Sequence, residues 1–444
     1  MKVLSARWVI PMTAESDHSA DPIVLEHHSV LIKDDRIVAI MPTEQALKAH
    51  PEAEQEIFED HALLPGFINV HNHAAMTLFR GLADDLPLME WLEKHIWPAE
   101  GQHVDADFVR EGTEHALLNM IRSGTTTFSD MYFFPKEVAS LCEAVGMRVQ
   151  ICCPVIDFPV PGVSSIDQAI EDTVELHAQY QHHPLVQIAF GPHAPYTVGK
   201  ETLLRVKESS DANQIPIQMH IHETAYEVET FSAEHGMSPI QALHSWGLLS
   251  SKMQAVHMTS LSEEDIKIVA QTGSHVIHCP KSNMKLASGI TPIQSLRAAG
   301  VNIALGTDGA ASNNTQDILA EALSASLLSK VSQGDSTASS AYETLKMLTI
   351  NGAKALGQEQ HLGSLETGKQ ADMIAVDLSS DYSQPVYHPV STLIYSCQSS
   401  QISDSWVAGK RLLENGQCVN LNEQRIVKNT RAWRQKIQDS ATTS

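Results

Sequence analysis

The sequence predicts an α/β protein: a (β/α)8 barrel of TIM type joined to a small β-sandwich domain built from both chain ends. Three observations carry this reading. The middle of the 444-residue chain alternates short apolar strands with amphipathic helices, eight strands in all. Segments rich in β signal flank that region on both sides. Polar residues, mostly histidine, recur where the central strands end, and a barrel gathers its chemistry at that face.

The elements follow in order. Residues 29–40 read as two short apolar runs around Asp34-Asp35, a hairpin. Residues 371–377 form a strand, and 405–412 lead through an Asn415-Gly416 turn into another. One small sheet assembled from the two ends explains both. Between them the candidate strands are 63–71, 125–129, 148–154, 186–190, 216–220, 254–257, 275–279 and 302–306. Helical patterns fill the gaps, for instance 107–122 with Phe108, Ala116, Leu117, Met120 and Ile121 on one side. Another covers 262–272, opened by a Ser-x-x-Asp capping box and closed by Gly273, and a third covers 291–299, closed by Gly300. An open doubly wound sheet is the competing arrangement. It calls for a switch point and commonly a glycine-rich phosphate loop, and no such loop is found. The expected division is 1–62 and 362–420 for the small domain, 63–361 for the barrel, and 421–444 for a polar, helical or frayed tail.

Composition removes some functions. The balance of 53 acidic against 30 basic residues gives a net charge of −23. Such a chain repels nucleic acid and anionic lipid. Six cysteines form no C-x-x-C pair and read as reduced, mostly buried thiols of a cytoplasmic protein. No apolar run reaches membrane-spanning length, and the N-terminal stretch reads as a first strand rather than a signal core. The sequence leaves the oligomeric state open, with a homo-oligomer allowed.

The strand ends hold the candidates for chemistry. Strand one ends in His71 and His73, two residues apart and therefore on one face. Strand four runs into His193, strand five into His220, His222 and Glu223, and strand six into His257. Strand seven ends in His278 and strand eight in Asp308. A lone histidine at a strand end is more often a hydrogen-bonded structural residue. Several around one narrow barrel mouth converge within reach of a metal. Three imidazoles and a carboxylate suit Zn²⁺, with Fe²⁺ or Mn²⁺ nearly as well matched. A second ion would need a bridging ligand such as a lysine at a middle strand end. Strand four, VQIAFGPHAP, offers none, so one divalent ion is expected. On strand five either His220 or His222 satisfies the spacing. Two other zinc patterns fail. H-E-x-x-H is broken by Tyr226, and the P-C-x-x-C deaminase signature is absent.

With these residues in place, the chain resembles the amidohydrolase superfamily. Within it the resemblance is to 5′-methylthioadenosine/S-adenosylhomocysteine deaminases and their chlorohydrolase relatives. The motifs PGFINVHNHAAMTLFRGLADD, WLEKHIWPAE, GPHAPYTV, MHIHET, HCPKSNMKLASGI, LGTDGAASNN, NGAKALG and GSLETGKQADMIAVD carry it, in order, over nearly the whole chain. The resemblance implies metal ligands His71, His73, His220 and Asp308, with His220 preferred because Glu223 lies three positions after it. His222 then falls to a supporting role. The resemblance further implies catalytic roles for Glu223, His257 and Asp308. Substrate contacts are implied for Glu100, which would hold ribose hydroxyls, for His193, and for Glu223 and Asp308. The implied reaction is hydrolytic deamination of an adenosine-type nucleoside at C6, releasing ammonia. Ser282 and Asn283 are read as loop-fixing residues outside the site. One departure bears on substrate. Members that accept S-adenosylhomocysteine well can carry arginines between strands three and four. Here no arginine lies between Arg148 and Arg205, and the loop 156–163 is apolar. That favours 5′-methylthioadenosine. The alternatives are deamination or dechlorination of a free base, guanine or triazine, and a non-catalytic metal-binding protein.

Overall fold

The computed structural model describes residues 1–13 and 22–441. Two eight-stranded sheets organise them. The first is mixed and uses both chain ends. Its N-terminal strands are β1 (Lys2–Val9), β2 (Leu25–Lys33), β3 (Arg36–Pro42) and β4 (Glu54–Pro65). The second sheet is parallel and runs in sequence order: β5 (Phe67–Asn72), β6 (Thr125–Asp130), β7 (Arg148–Val155), β8 (Val186–Pro192), β9 (Ile217–Ile221), β10 (Met253–His257), β11 (His275–His278) and β12 (Ile303–Leu305). The chain then returns to the first sheet with β13 (Met373–Asp377), β14 (Ile402–Val407), β15 (Lys410–Glu414) and β16 (Gln417–Cys418). There β13 pairs antiparallel with β4, which joins the two ends. The parallel sheet is the expected barrel, and the mixed sheet is the expected small β domain.

Closure of the barrel is made where the segment just after β12 meets β5. The Asp308 amide donates to the His71 carbonyl at 3.1 Å, and the Thr307 amide to Asn69 Oδ1 at 2.9 Å. Gly306 is required there, because a Cβ would sit 2.8 Å from His71 Cβ. The same contacts bring the ends of the first and last strands together, and with them the first and last of the candidate ligands.

The strand expected over 63–71 is divided in two. Leu63, Leu64 and Pro65 pair with β13 in the small sheet, whereas Phe67 pairs with Thr125 in the barrel. Gly66 is the passage between them. It packs so closely on β6 that a Cβ would meet Thr126 Oγ1 at 2.1 Å. An apolar run does not reveal such a change of sheet, since both halves are buried.

The expected helices form. Ala106–Arg122 is capped by Asp105, and Glu263–Thr272 carries the reciprocal Ser262/Asp265 capping box and ends at Gly273. The Asn415-Gly416 turn has positive φ at both residues (48° and 76°), which a two-residue hairpin loop needs. The tail is helical over Glu423–Ala441 and docks on Ala106–Arg122. Trp433 packs edge-on against Phe108, ring centroids 5.2 Å apart, and its indole N–H donates to Glu111 at 2.7 Å. A buried bidentate pair, Arg148 Nε and Nη2 on Asp372 (2.7 and 3.0 Å), ties the foot of β7 to the small sheet.

Candidate metal centre and active site

His71, His73, His220 and Asp308 meet at the C-terminal mouth of the barrel. Asp308 Oδ1 lies 3.2 Å from His73 Nε2 and 3.5 Å from His71 Nε2. The Nε2 atoms of His71 and His220 are 3.2 Å apart. Donor atoms of His71, His73 and Asp308 all lie within 4.8 Å of one another, as do those of His71, His220 and His257.

The partners of Nδ1 distinguish these imidazoles. In three of the four imidazoles Nδ1 faces an acceptor: Gln218 Oε1 for His71 (2.8 Å), the Met131 carbonyl for His73 (2.6 Å) and the His193 carbonyl for His220 (2.8 Å). Nδ1 must therefore carry the hydrogen, and Nε2 offers a lone pair to the common point. His257 differs: its Nδ1 meets a side-chain amide, that of Asn283, at 3.0 Å rather than a carbonyl, and its Nε2 lies 3.8 Å from Glu223 Oε2, facing the pocket beside the cluster. Three imidazole lone pairs and one carboxylate fit a single divalent cation.

His222 cannot join this set. Its φ is +54°, its Nδ1 donates to the Ser260 carbonyl at 2.6 Å, and its Nε2 accepts from the Ile240 amide at 3.1 Å. Both nitrogens are engaged in fixing the loop after β9, which answers the strand-five alternative. His278 is buried, and neither ring nitrogen has a protein partner.

Asp308 is held from behind. Ser282 and Ser312 hydroxyls donate to Oδ2 at 2.7 and 3.1 Å, and the Gly309 amide donates to Oδ1 at 2.7 Å. Burial raises its carboxyl pKa, but hydrogen bonds and charge from His71 and His73, when these imidazoles carry a second proton on Nε2, outweigh that and hold it well below the ordinary value. Glu223 behaves oppositely. Burial pushes it well above the ordinary range, and the charges of Asp308 and Glu227 push it further. Two buried carboxyls with divergent acidities are an acid/base pair in the making. Burial drives His193 and His257 down to about 3, so both are neutral imidazoles.

Above the cluster opens a largely apolar pocket. His73, Glu100, His193, His220, Glu223, His257 and Asp308 all face it, with His71 buried beneath. Glu100, on the helix Trp97–His103, is buried and accepts from the Tyr132 hydroxyl at 2.8 Å. Burial raises its pKa to about 7 against that hydrogen bond. The wall includes Trp91, Trp97, Phe133, Ile156 and Phe158, and among the described residues no arginine or lysine lines the pocket. Trp97 and Phe158 meet at the mouth with ring centroids 5.7 Å apart.

Sequence reasoning left out several supports of this site. Ser282 and Asn283, assigned to the loop, touch Asp308 and His257 directly. Tyr132 and Gln218 were not singled out, though a polar residue in an otherwise apolar buried strand was the available signal for Gln218. The Met131 and His193 carbonyls have no sequence signal, since every residue carries a carbonyl.

Known proteins resemble this chain in sequence and in fold. A sequence model of the Amidohydrolase family matches residues 62–412. A 5-methylthioadenosine/S-adenosylhomocysteine deaminase from Teredinibacter turnerae is 45% identical over 434 residues, covering 98% of this chain and 97% of that one. An adenosine deaminase structure from Xanthomonas campestris with bound zinc is 41% identical, with a TM-score of 0.94 over 99% of this chain and 98% of that one. The zinc complex of atrazine chlorohydrolase from Arthrobacter aurescens shares the fold at 24% identity, TM-score 0.89, over 98% and 100% of the two chains. The chain belongs to the amidohydrolase family.

Proposed function

We propose that this protein is a metal-dependent deaminase of adenosine-type nucleosides, with 5′-methylthioadenosine as its best substrate and an inosine-type product. The observation that carries the reading is the set of three Nε2 lone pairs and one carboxylate converging beneath a pocket that also presents Glu223, His257 and Glu100. The relatives named as nucleoside deaminases support it.

In this reading His71, His73, His220 and Asp308 hold one divalent ion, zinc by analogy with the solved relative. Such an ion supplies Lewis-acid chemistry, making water a nucleophile near neutral pH. The chain's own groups move the protons. Glu223 takes a proton from the attacking water and delivers it to N1 of the adenine ring. His257 orients that water through Nε2–H. Asp308 passes the second water proton to the departing amino group, so that one water is consumed and one ammonia leaves. Glu100 accepts from the ribose hydroxyls, and His193 contacts the nucleoside from the rim. The apolar wall of Ile156, Phe158 and Trp97 suits a methylthio group, and a pocket without arginine or lysine gives an amino-acid carboxylate no partner.

The acidic net charge of −23 argues against nucleic acid or anionic membrane as partner. No helix among the described residues is long and apolar enough to cross a membrane. With all six cysteines free, we place the protein in the cytoplasm.

The test is the absorbance change from adenine to hypoxanthine chromophore with zinc-loaded protein. The expected order of kcat/KM is 5′-methylthioadenosine above S-adenosylhomocysteine. Silence with both of these and with adenosine, alongside turnover of guanine or a chlorotriazine, would overturn the assignment.

A further inference from the structure

Two of the three ligand-type histidines are oriented by backbone carbonyls, which no substitution removes. His71 differs, because a side chain holds it. Its Nδ1–H donates to Gln218 Oε1 at 2.8 Å in the sealed interior of the barrel. The orientation of Gln218 is fixed by what surrounds its nitrogen. Nε2 faces the Val70 carbonyl at 2.8 Å, Gln254 Oε1 at 2.7 Å and Ser129 Oγ at 3.1 Å. The two hydrogens of Nε2 serve the two nearer acceptors, and the Ser129 hydroxyl, which donates onward to Gln150 Oε1, turns its oxygen to the same nitrogen. Gln254 is oriented in turn by donating to the Ala355 carbonyl at 3.0 Å. A one-way series results: His71 to Gln218, Gln218 to Gln254, Gln254 to the segment at the foot of the barrel. Donors aligned this way polarise one another in a low-dielectric interior. Histidine ligands are commonly braced by such a partner, and losing it weakens metal binding.

We infer that Gln218, backed by Gln254, is a positioning residue that fixes the tautomer of His71 and aims its Nε2 lone pair at the cation. The inference rests on the reading of this cluster as a metal centre. An amide does this without adding charge. A carboxylate at the same buried place would need a cationic partner to stay ionised. Gln218 touches neither substrate nor ion, and its effect passes through His71.

The experiment is competition for Co²⁺ and Zn²⁺ between the apo protein and a chromophoric chelator, with the visible Co²⁺ spectrum as second readout. Gln218→Leu keeps the volume but offers His71 no acceptor. Metal affinity is expected to fall about 10- to 100-fold, with a changed Co²⁺ spectrum and an apo circular-dichroism spectrum like that of wild type. Gln218→Glu, whose neutral carboxyl can accept from His71 and donate to Gln254, is expected to recover most of the loss. Gln254→Leu should weaken binding less than Gln218→Leu. Should the leucine variant not fold, Gln218→Met, unbranched and equally long, takes its place. A folded Gln218→Leu or Gln218→Met that binds Co²⁺ with wild-type affinity and spectrum overturns the inference. A wild-type protein that binds no metal overturns instead the reading of the centre, so the two failures are distinct.

Discussion

The lumen of the barrel is lined by two kinds of side chain. From the upper part of β10 through β11 and β12 to β5 it carries Val256, Ile277, Ala304, Ile68 and Val70, packed on Ala353, Ala355 and Leu356. From β6 to β9, and at the lower level of β10, strand registers align Ser129 with Gln150, Gln150 with Gln187, and Gln218 with Gln254. One side is held by apolar burial, which is non-directional. The other is held by hydrogen bonds in which each amide must find its partner. Only the second can dictate which nitrogen of an imidazole bears a hydrogen. The polar side meets the candidate metal cluster at His71, through Gln218, and at His220 on the same strand as Gln218.

Substitutions should separate the two sides. The largest effect belongs to the rim above the polar side. Glu223→Gln removes the proposed proton carrier and leaves the four proposed ligands in place. The expected fall in kcat is on the order of 10²–10⁴, with metal content and melting temperature near wild type. Near-normal turnover would reject Glu223 as the acid/base. On the apolar side Ile277→Ala should do the reverse. Ile277 is fully buried, and truncation there costs about 2–5 kcal/mol of stability. Denaturant titration should register that loss, while kcat/KM and metal per folded molecule stay unchanged. A comparable loss of metal would show that the two sides are not separable.

The third prediction concerns pH. Glu100 is raised to about 7 by burial. In the proposed role, ribose hydroxyls donate to its ionised form, which gives way to the protonated form as pH falls through 7. KM for 5′-methylthioadenosine should therefore rise on acidification below 7 and level off above it. Glu100→Gln should raise KM about tenfold or more, as loss of a charge-assisted hydrogen bond does. Its KM should also lose this pH dependence, and the same slope in wild type and variant would move the titration to another group.

Much of this was legible in the sequence, for identifiable reasons. Strand–helix alternation exposes a barrel because its periodicities are local, and the His71-x-His73 pair and Asp308 stand at strand ends that any barrel must gather. What escaped depends on backbone geometry or on partners far away in the chain. Strict alternation places His220 and His222 on one face. Only the turn to φ +54° at His222 sends it to Ser260 and Ile240 instead. The change of sheet at Gly66 hides inside one apolar run. Glu100 meets Tyr132 only because the chain makes a π-helical turn over Leu92–Ile96 and then the short helix that carries Glu100. Gln218 and Gln254 look like misplaced polar residues until their partners at His71 and Ala355 are known.

The smallest expected effect tests whether position within the polar side matters or only its polarity. Gln187 lies on the same face as Gln218 but three strands from His71 by way of Gln150 and Ser129, and its own amide reaches the Leu356 carbonyl only at a long 3.4 Å. Gln187→Leu leaves the Gln150 amide without one acceptor, a penalty of about 1–3 kcal/mol for a fully buried group. Gln187 borders a polar cavity at the barrel foot, where water can supply the missing partner, so the stability loss should fall at the low end of that range. Metal affinity should be unchanged within about twofold, because nothing that orients His71 has been removed. If Gln187→Leu weakened Co²⁺ binding as much as Gln218→Leu, the polar half would act through its overall polarity. Directed orientation of His71 would then lose its support, since any buried amide would serve.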